Sequence, residues 1–348
     1  MLINGPSHAV NGVINVITKK AKDSQGLYVS ALAGNEEKGK LSLRYGGDIN
    51  QNTHYRIYAK GFEKDEAEDG VDDWRMGRVG FRVDSEPSIK DKLTLQSDVY
   101  AGEEGERAVS TFSTPPFGKF ASRTDVLGEN VLFRWQRDLG GDSDLTIQSY
   151  YDFTEREHFY VKDVRETVDL DFQHRFQTSW QQEIIWGLGF RYIEDETKAG
   201  TLLALSPQQR IDRIYSGFVQ DEISLIEDEL ILTLGSKFEH NSYTGFEYQP
   251  SARLVWKFID QHSLWGSVSR AVKVPNRMEH NTIIQRSRVA GGTLALNILG
   301  SQEMDAEELT AYEIGYRFLD KQFTFDTSLY YNDYHNLRSL EPSPYTQV

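Results

Sequence analysis

The feature that most constrains this chain is a hydrophobic alternation of period two, recurring from Leu27 almost to the last residue. In Leu41-Ser42-Leu43-Arg44-Tyr45, the residues Leu41, Leu43 and Tyr45 fall on one face and Ser42 and Arg44 on the other, because successive side chains of a pleated strand point to opposite sides. Val79, Phe81 and Val83 alternate with Arg78, Arg82 and Asp84 in the same way, and Ile184, Trp186, Leu188 and Phe190 with Glu183, Gly187 and Gly189. Near the end, Tyr312, Ile314, Tyr316 and Phe318 alternate with Glu313, Gly315 and Arg317. No long segment repeats its apolar residues at helical spacing. The pattern predicts an all-β chain of about fifteen strands, many of about 9 to 13 residues, longer than the usual five or six and matched to the roughly 9 to 11 that cross a bilayer.

The connections add a second constraint. Tight turns are expected at 140–143, Thr178-Ser179, Glu227-Asp228, Asp260-Gln261 and Asp320-Lys321, and long loops at 63–73, 103–128, 155–166, 194–209 and 272–308. Short and long alternate, as in outer-membrane barrels with short periplasmic turns and longer extracellular loops. A soluble sandwich is the competing fold, but its strands are shorter and it does not sort its loops by side. The polar face, rich in Arg, Asp, Glu and Gln, suits a wet lumen.

Composition narrows the function classes. No apolar run approaches the roughly 20 residues of a transmembrane helix, so any membrane crossing is by strands. The 18 Tyr, 18 Phe and 6 Trp suit positions apolar at one end and wet at the other. A net charge of −15 leaves no basic surplus to release phosphate counterions, which argues against nucleic acid as a partner. The absence of Cys removes disulfides, thiolate metal sites and thiol nucleophiles.

Four stretches resemble the TonB-dependent outer-membrane receptors. They are Ala9 to Lys19, AVNGVINVITK, similar to the last strand of that family's plug domain; Ser269 to Arg277, SRAVKVPNR, with Lys273 where Arg is commoner; Phe218 to Ile223, FVQDEI; and Glu308 to Arg317, ELTAYEIGYR. The resemblance implies an antiparallel transmembrane β-barrel with about 15 of the family's 22 strands present, hence an incomplete, open or partial barrel. It divides the chain into residues 1–22, the end of a plug, and 23–348, the N-terminal and central part of the barrel wall. It further implies active uptake of a scarce nutrient, foremost a ferric siderophore, in the outer membrane of a Gram-negative bacterium. TonB, engaged through a region outside this chain, and lipopolysaccharide and lipid are then the partners. A passive porin-like barrel and a soluble β-rich binding module or adhesin are the alternatives.

No catalytic constellation stands out: the eight His are scattered, and metalloprotease, nucleophile-elbow and phosphate-loop spacings are absent. An enzyme is not expected, nor a cofactor. For ligand contact, Arg270, Lys273, Arg277, Arg286 and Arg288 gather around one long loop of an acidic chain, where guanidinium forks would attract an anionic ferric siderophore. Phe112, Phe117, Phe120, Tyr243, Phe246 and Tyr248 would add aromatic surface. The plainer reading pairs Arg270 and Lys273 with carboxylates and packs the aromatic residues on one another. Asn11, Gly12 and Asn15 are candidates for plug–barrel contact. The acidic run Glu63 to Asp73 admits calcium, but a solvated loop is expected because the spacing is not that of an EF-hand.

Overall fold

A computed structural model describes residues 17–68, 70–110, 118–200, 203–286 and 296–341. The expected alternation becomes long strands: β1 (Gly26–Leu32), β2 (Gly39–Asn50), β3 (Thr53–Lys64), β4 (Trp74–Ser85), β5 (Asp91–Ser110), β6 (Gly118–Asp138), β7 (Asp144–Glu157), β8 (Val161–Thr178) and β9 (Gln182–Ala199). They continue with β10 (Leu203–Leu205), β11 (Gln209–Ile226), β12 (Leu230–Asn241), β13 (Gly245–Ile259), β14 (His262–Lys273), β15 (Thr282–Arg286), β16 (Leu296–Leu299), β17 (Glu307–Leu319) and β18 (Thr324–His335). Fifteen of them form one antiparallel meander in chain order, and β10, β15 and β16 form a small separate sheet. Among the described residues β1 and β18 each pair on one side only, so the sheet is not closed.

Turn chemistry sets the register. Gly140, Gly141 and Asp142 take positive φ between β6 and β7, and Asp228 does so between β11 and β12, the left-handed backbone that two-residue and three-residue reversals require.

The two faces differ as the alternation demands. Leu43, Val79, Val131, Leu170, Leu188 and Ile314 lie open on one face, and among the described residues no second layer covers them. Among the described residues only nine hydrophobic side chains, those of Val126, Ile185 and Phe218 among them, are buried. The accessible surface is 22570 Å², against about 14,000 Å² for a compact soluble monomer of this mass. A single layer with so many large apolar side chains open on one face needs hydrocarbon as the solvent of that face, and the opposite face lines the lumen. A twelve-residue strand such as β2, tilted by about 40°, spans roughly 30 Å, the thickness of the hydrocarbon core.

The structure departs from expectation at the long loops. Residues 103–128 are mostly a hairpin, with β5 and β6 paired from Asp91 and Arg137 to Ser110 and Gly118. Strands β7 and β8 meet across 158–160, and β9 runs to Ala199. The reason lies on the outer face. Beyond Phe153, Val168 and Tyr192 the outward positions become Glu155, Glu166 and Glu194, so the apolar alternation stops where the sheet leaves the membrane while backbone pairing continues into water.

Candidate ligand-contact region

The long connection between β14 and β17 begins with Val274-Pro275-Asn276 and a single helical turn, α1 (Arg277–Asn281). A capping box starts it: the Glu279 amide donates to Asn276 Oδ1 at 3.0 Å, and the Asn276 amide donates to Glu279 Oε2 at 2.8 Å. Such a box satisfies two otherwise orphaned amides of the first turn, and it aims Arg277 inward.

Arg277 Nε donates to Asp195 Oδ2 at 2.8 Å, with both side chains buried, and Nη2 donates to the Pro207 carbonyl. Asn281 Nδ2 donates to the Ser206 carbonyl at 2.8 Å, and the Ser206 amide donates to the Asn281 carbonyl at 3.0 Å. Arg210 Nε donates to Asp212 Oδ1 at 2.7 Å, and its guanidinium lies 4.1 Å from the centre of the Tyr243 ring. The Tyr243 hydroxyl donates to Asp212 Oδ2 at 2.8 Å, and His280 meets the Tyr243 ring edge-on at 5.2 Å. Burial, then the adjoining Asp212 carboxylate, pushes the Tyr243 hydroxyl above its ordinary pKa of 10.0. This network stitches the β9–β11, β12–β13 and β14–β17 connections together at one end of the wall.

The structure therefore brings Arg277 and Tyr243 into one cluster, in which both have protein partners. Lys273 stands 3.4 Å from Glu307 and 3.9 Å from Glu279, and Arg338 also pairs with Glu307, at 3.1 Å. Arg270 bonds Glu308 at 2.7 Å and stacks 4.5 Å from the Tyr248 ring centre. Its register, two residues beyond Val268 on β14, gives it the outer face. Phe246 is exposed and stacks on Phe238, an outward residue. Arg286 ends β15 opposite Leu296. Phe112, Phe117, Arg288, Asn11, Gly12 and Asn15 lie outside the described residues.

Sequence reasoning missed Asp195, Arg210, Asp212, His280 and Asn281. The available signal was Asn276-x-x-Glu279, a capping-box spacing that announces a helical turn. In the acidic run, Asp65 pairs with Lys38 at 2.6 Å and Asp73 with Arg123 at 3.0 Å. Among the described residues no group of three or more His, Asp or Glu is placed to hold a metal ion.

An unclosed meander of long strands with one face open to hydrocarbon and one charged face defines a segment of a transmembrane β-barrel wall. The family model for the TonB dependent receptor-like β-barrel matches residues 21–348, and the chain belongs to that family, in the outer membrane of Gram-negative bacteria. The chain is similar to the ferric enterobactin receptor of Pseudomonas aeruginosa, 20% identical over 96% of this chain and 54% of the relative. It is likewise similar to the ferrienterobactin receptor of Escherichia coli K12, 21% identical over 94% of this chain and 53% of the relative. A crystal structure of the ferric enterobactin receptor PfeA superimposes with a TM-score of 0.74 at 16% identity, covering 94% of this chain and 56% of that one, which shows the shared fold. The chain spans about half the length of the curated relatives it matches.

Proposed function

We propose that this chain is the barrel-wall portion of a receptor that takes up a ferric siderophore across the outer membrane with energy delivered by TonB, and that it performs no catalysis of its own. The observation that carries the reading is the barrel-family match over 21–348 together with relatives that are ferric enterobactin receptors. In this reading residues 1–22 end the domain that fills the barrel and 23–348 form its wall. The connection between β14 and β17, with Arg286 and Arg288, presents cations to the anionic ligand. Arg277 and Tyr243 hold that connection in place, and lipopolysaccharide and lipid surround the outward apolar band.

Deleting the gene in its source bacterium tests the proposal. Energised uptake of labelled ferric enterobactin by iron-starved cells is expected to fall to background, with passive entry of small sugars unchanged. Normal iron uptake, with slower sugar entry, would instead identify a passive pore.

A further inference from the structure

The outer face of β2 to β6 is not a uniform apolar surface. At one level across the strands the outward residues are Leu41, Gly61, Gly77, Ala101 and Leu127, each directly opposite the next. Leu41 and Leu127 project into hydrocarbon, whereas the three residues between them carry no side chain or a single methyl. One same-face step nearer the periplasmic end, Val79 and Val99 rise again opposite one another. The result is a groove: two contiguous hollows of about 470 Å³ and about 750 Å³ share Leu41, Gly61, Gly77 and Ala101. Small-molecule pockets run from roughly 300 to 1,000 Å³. On a face whose solvent is hydrocarbon, such a groove is filled by a hydrocarbon chain, because an empty one forfeits dispersion contacts along its whole lining.

The next outward row towards the extracellular end is charged: Glu63, Arg75, Glu103 and Asp125 face one another in turn, and Arg123 stands one same-face step beyond Asp125. Arg75 Nη2 and Arg123 Nη1 donate to the two oxygens of a single carboxylate, Glu103, at 2.5 Å each, and Arg123 Nη1 also reaches Asp73 at 3.0 Å. A shared carboxylate brings the two guanidiniums within the span of one phosphate group. Each guanidinium has about five N–H donors in a planar fork, and these bonds take one from Arg75 and two from Arg123. The side chains are 66% and 57% exposed, so the remaining donors face the headgroup layer.

We propose that this groove binds a phosphorylated glycolipid of the outer leaflet, with one acyl chain lying over Gly61 and Gly77 and a phosphate held between Arg75 and Arg123. Apolar floor and cationic rim follow one another along the membrane normal in the order of an anionic lipid's chain and headgroup, and guanidinium forks bond phosphate oxygens in pairs. Glu63 and Asp125 in the same row are exposed carboxylates, which divalent cations of the headgroup layer screen from the phosphate. The site rests on the outer-membrane reading and turns its general lipid contact into one place on the wall. It lies outside the barrel, clear of the lumen and of the α1 cluster.

Diphosphoryl lipid A and its dephosphorylated form, added with magnesium to the full chain in detergent micelles and counted by native mass spectrometry, are the probes. Arg75→Gln combined with Arg123→Gln is expected to weaken binding of the diphosphoryl form about tenfold or more, because charge-assisted bonds are lost, and to leave the dephosphorylated form unchanged. Gly61→Val combined with Gly77→Val is expected to weaken both forms. A Cβ at either glycine meets nothing closer than 3.8 Å, so the groove is filled without disturbing the strands. Arg213→Gln, which alters an outward cation of β11 lying over the Tyr192 ring, is expected to change nothing. Normal binding by the glycine variant overturns the proposal whatever the arginine variant does, and so does equal loss in Arg213→Gln or a folded chain that binds no lipid A. A dimer in micelles that the glycine variant dissociates overturns it in favour of a second copy of the chain. None of these outcomes touches siderophore uptake, which is measured separately, whereas a chain that stays folded and dispersed without detergent removes the membrane reading itself.

Discussion

Two stretches of the same lumen face solve the problem of charge in opposite ways. On β3 and β4 the cross-strand neighbours are Arg56 with Arg82 and Lys60 with Arg78. On β7 to β9 they are Arg156 with Asp163, Arg165 with Asp195, and Arg191 with Asp169, the last bonded at 2.7 Å. Two like charges about 5.5 Å apart repel by less than 1 kcal/mol in bulk water but by about 3 kcal/mol at an effective dielectric constant of 20. A water-filled lumen keeps the first stretch foldable. The second stretch sets its cations opposite carboxylates, and the first sets cation opposite cation and takes its carboxylates from other positions, Asp84 beside Arg82 at 2.8 Å and Asp98 beside Arg78 at 3.4 Å.

The largest expected effect tests the side where cations face carboxylates. Arg277→Ala leaves Asp195 buried without its cation, and the loss should be about 3–5 kcal/mol, read as the urea midpoint of the chain in detergent micelles. Pairing Arg277→Met with Asp195→Leu removes both charges and should recover most of that loss. If the double variant were no more stable than Arg277→Ala alone, the buried pair would not be what holds α1 to β9.

A smaller and more diagnostic effect compares the two stretches directly. Lys60 has no acceptor among the described residues and faces Arg78, so Lys60→Gln should raise stability by about 0.5 kcal/mol. Arg191→Gln removes the partner of Asp169, which is buried, and should lower stability by about 1–3 kcal/mol. Opposite signs from one chemical change would sharpen the comparison. If both variants lost stability, the like-charge stretch would be satisfied within the sheet after all.

How much of this was legible in the sequence follows from the range of each interaction. Alternation is local, so the all-β wall, the strand number and tight turns such as 140–143 could be read directly. Strand ends could not, because the cue was apolar alternation and β8 and β9 outlast it once Glu166 and Glu194 take the outward positions. The pairing of Arg277 with Asp195 bridges 82 residues, a separation no local pattern encodes. The outward setting of Arg270 and Phe246 was within reach, since each shares parity with an outward apolar residue of its own strand, Val268 and Leu254. Treating the loop as starting at 272 and the mouth as a single basic cluster hid it.

The smallest effect lies outside the wall and marks where the comparison ends. Lys38 and Asp65, in the connections that flank β2 and β3, pair at 2.6 Å on the exposed surface. The hydrogen bond from Lys38 holds the Asp65 carboxyl below its ordinary 3.8, and the same bond raises Lys38 above 10.5. A depressed carboxylate stabilises the folded state above its ordinary pKa and loses that contribution as pH falls through the lowered value; a raised lysine contributes below 10.5 and loses it as pH rises through the raised one. The pair is therefore intact between about pH 4 and pH 10. A carbon-detected NMR titration of Asp65 should show a midpoint below 3.8 that returns towards 3.8 in Lys38→Gln and in about 1 M salt, because exposed charges are screened there. The bonds of Arg277 and Arg191 to buried carboxylates should keep their effect in the same salt. If salt erased all three alike, the paired stretch of the lumen wall would be an ordinary solvated surface, and the contrast with the like-charged neighbours of β3 and β4 would lose its physical basis.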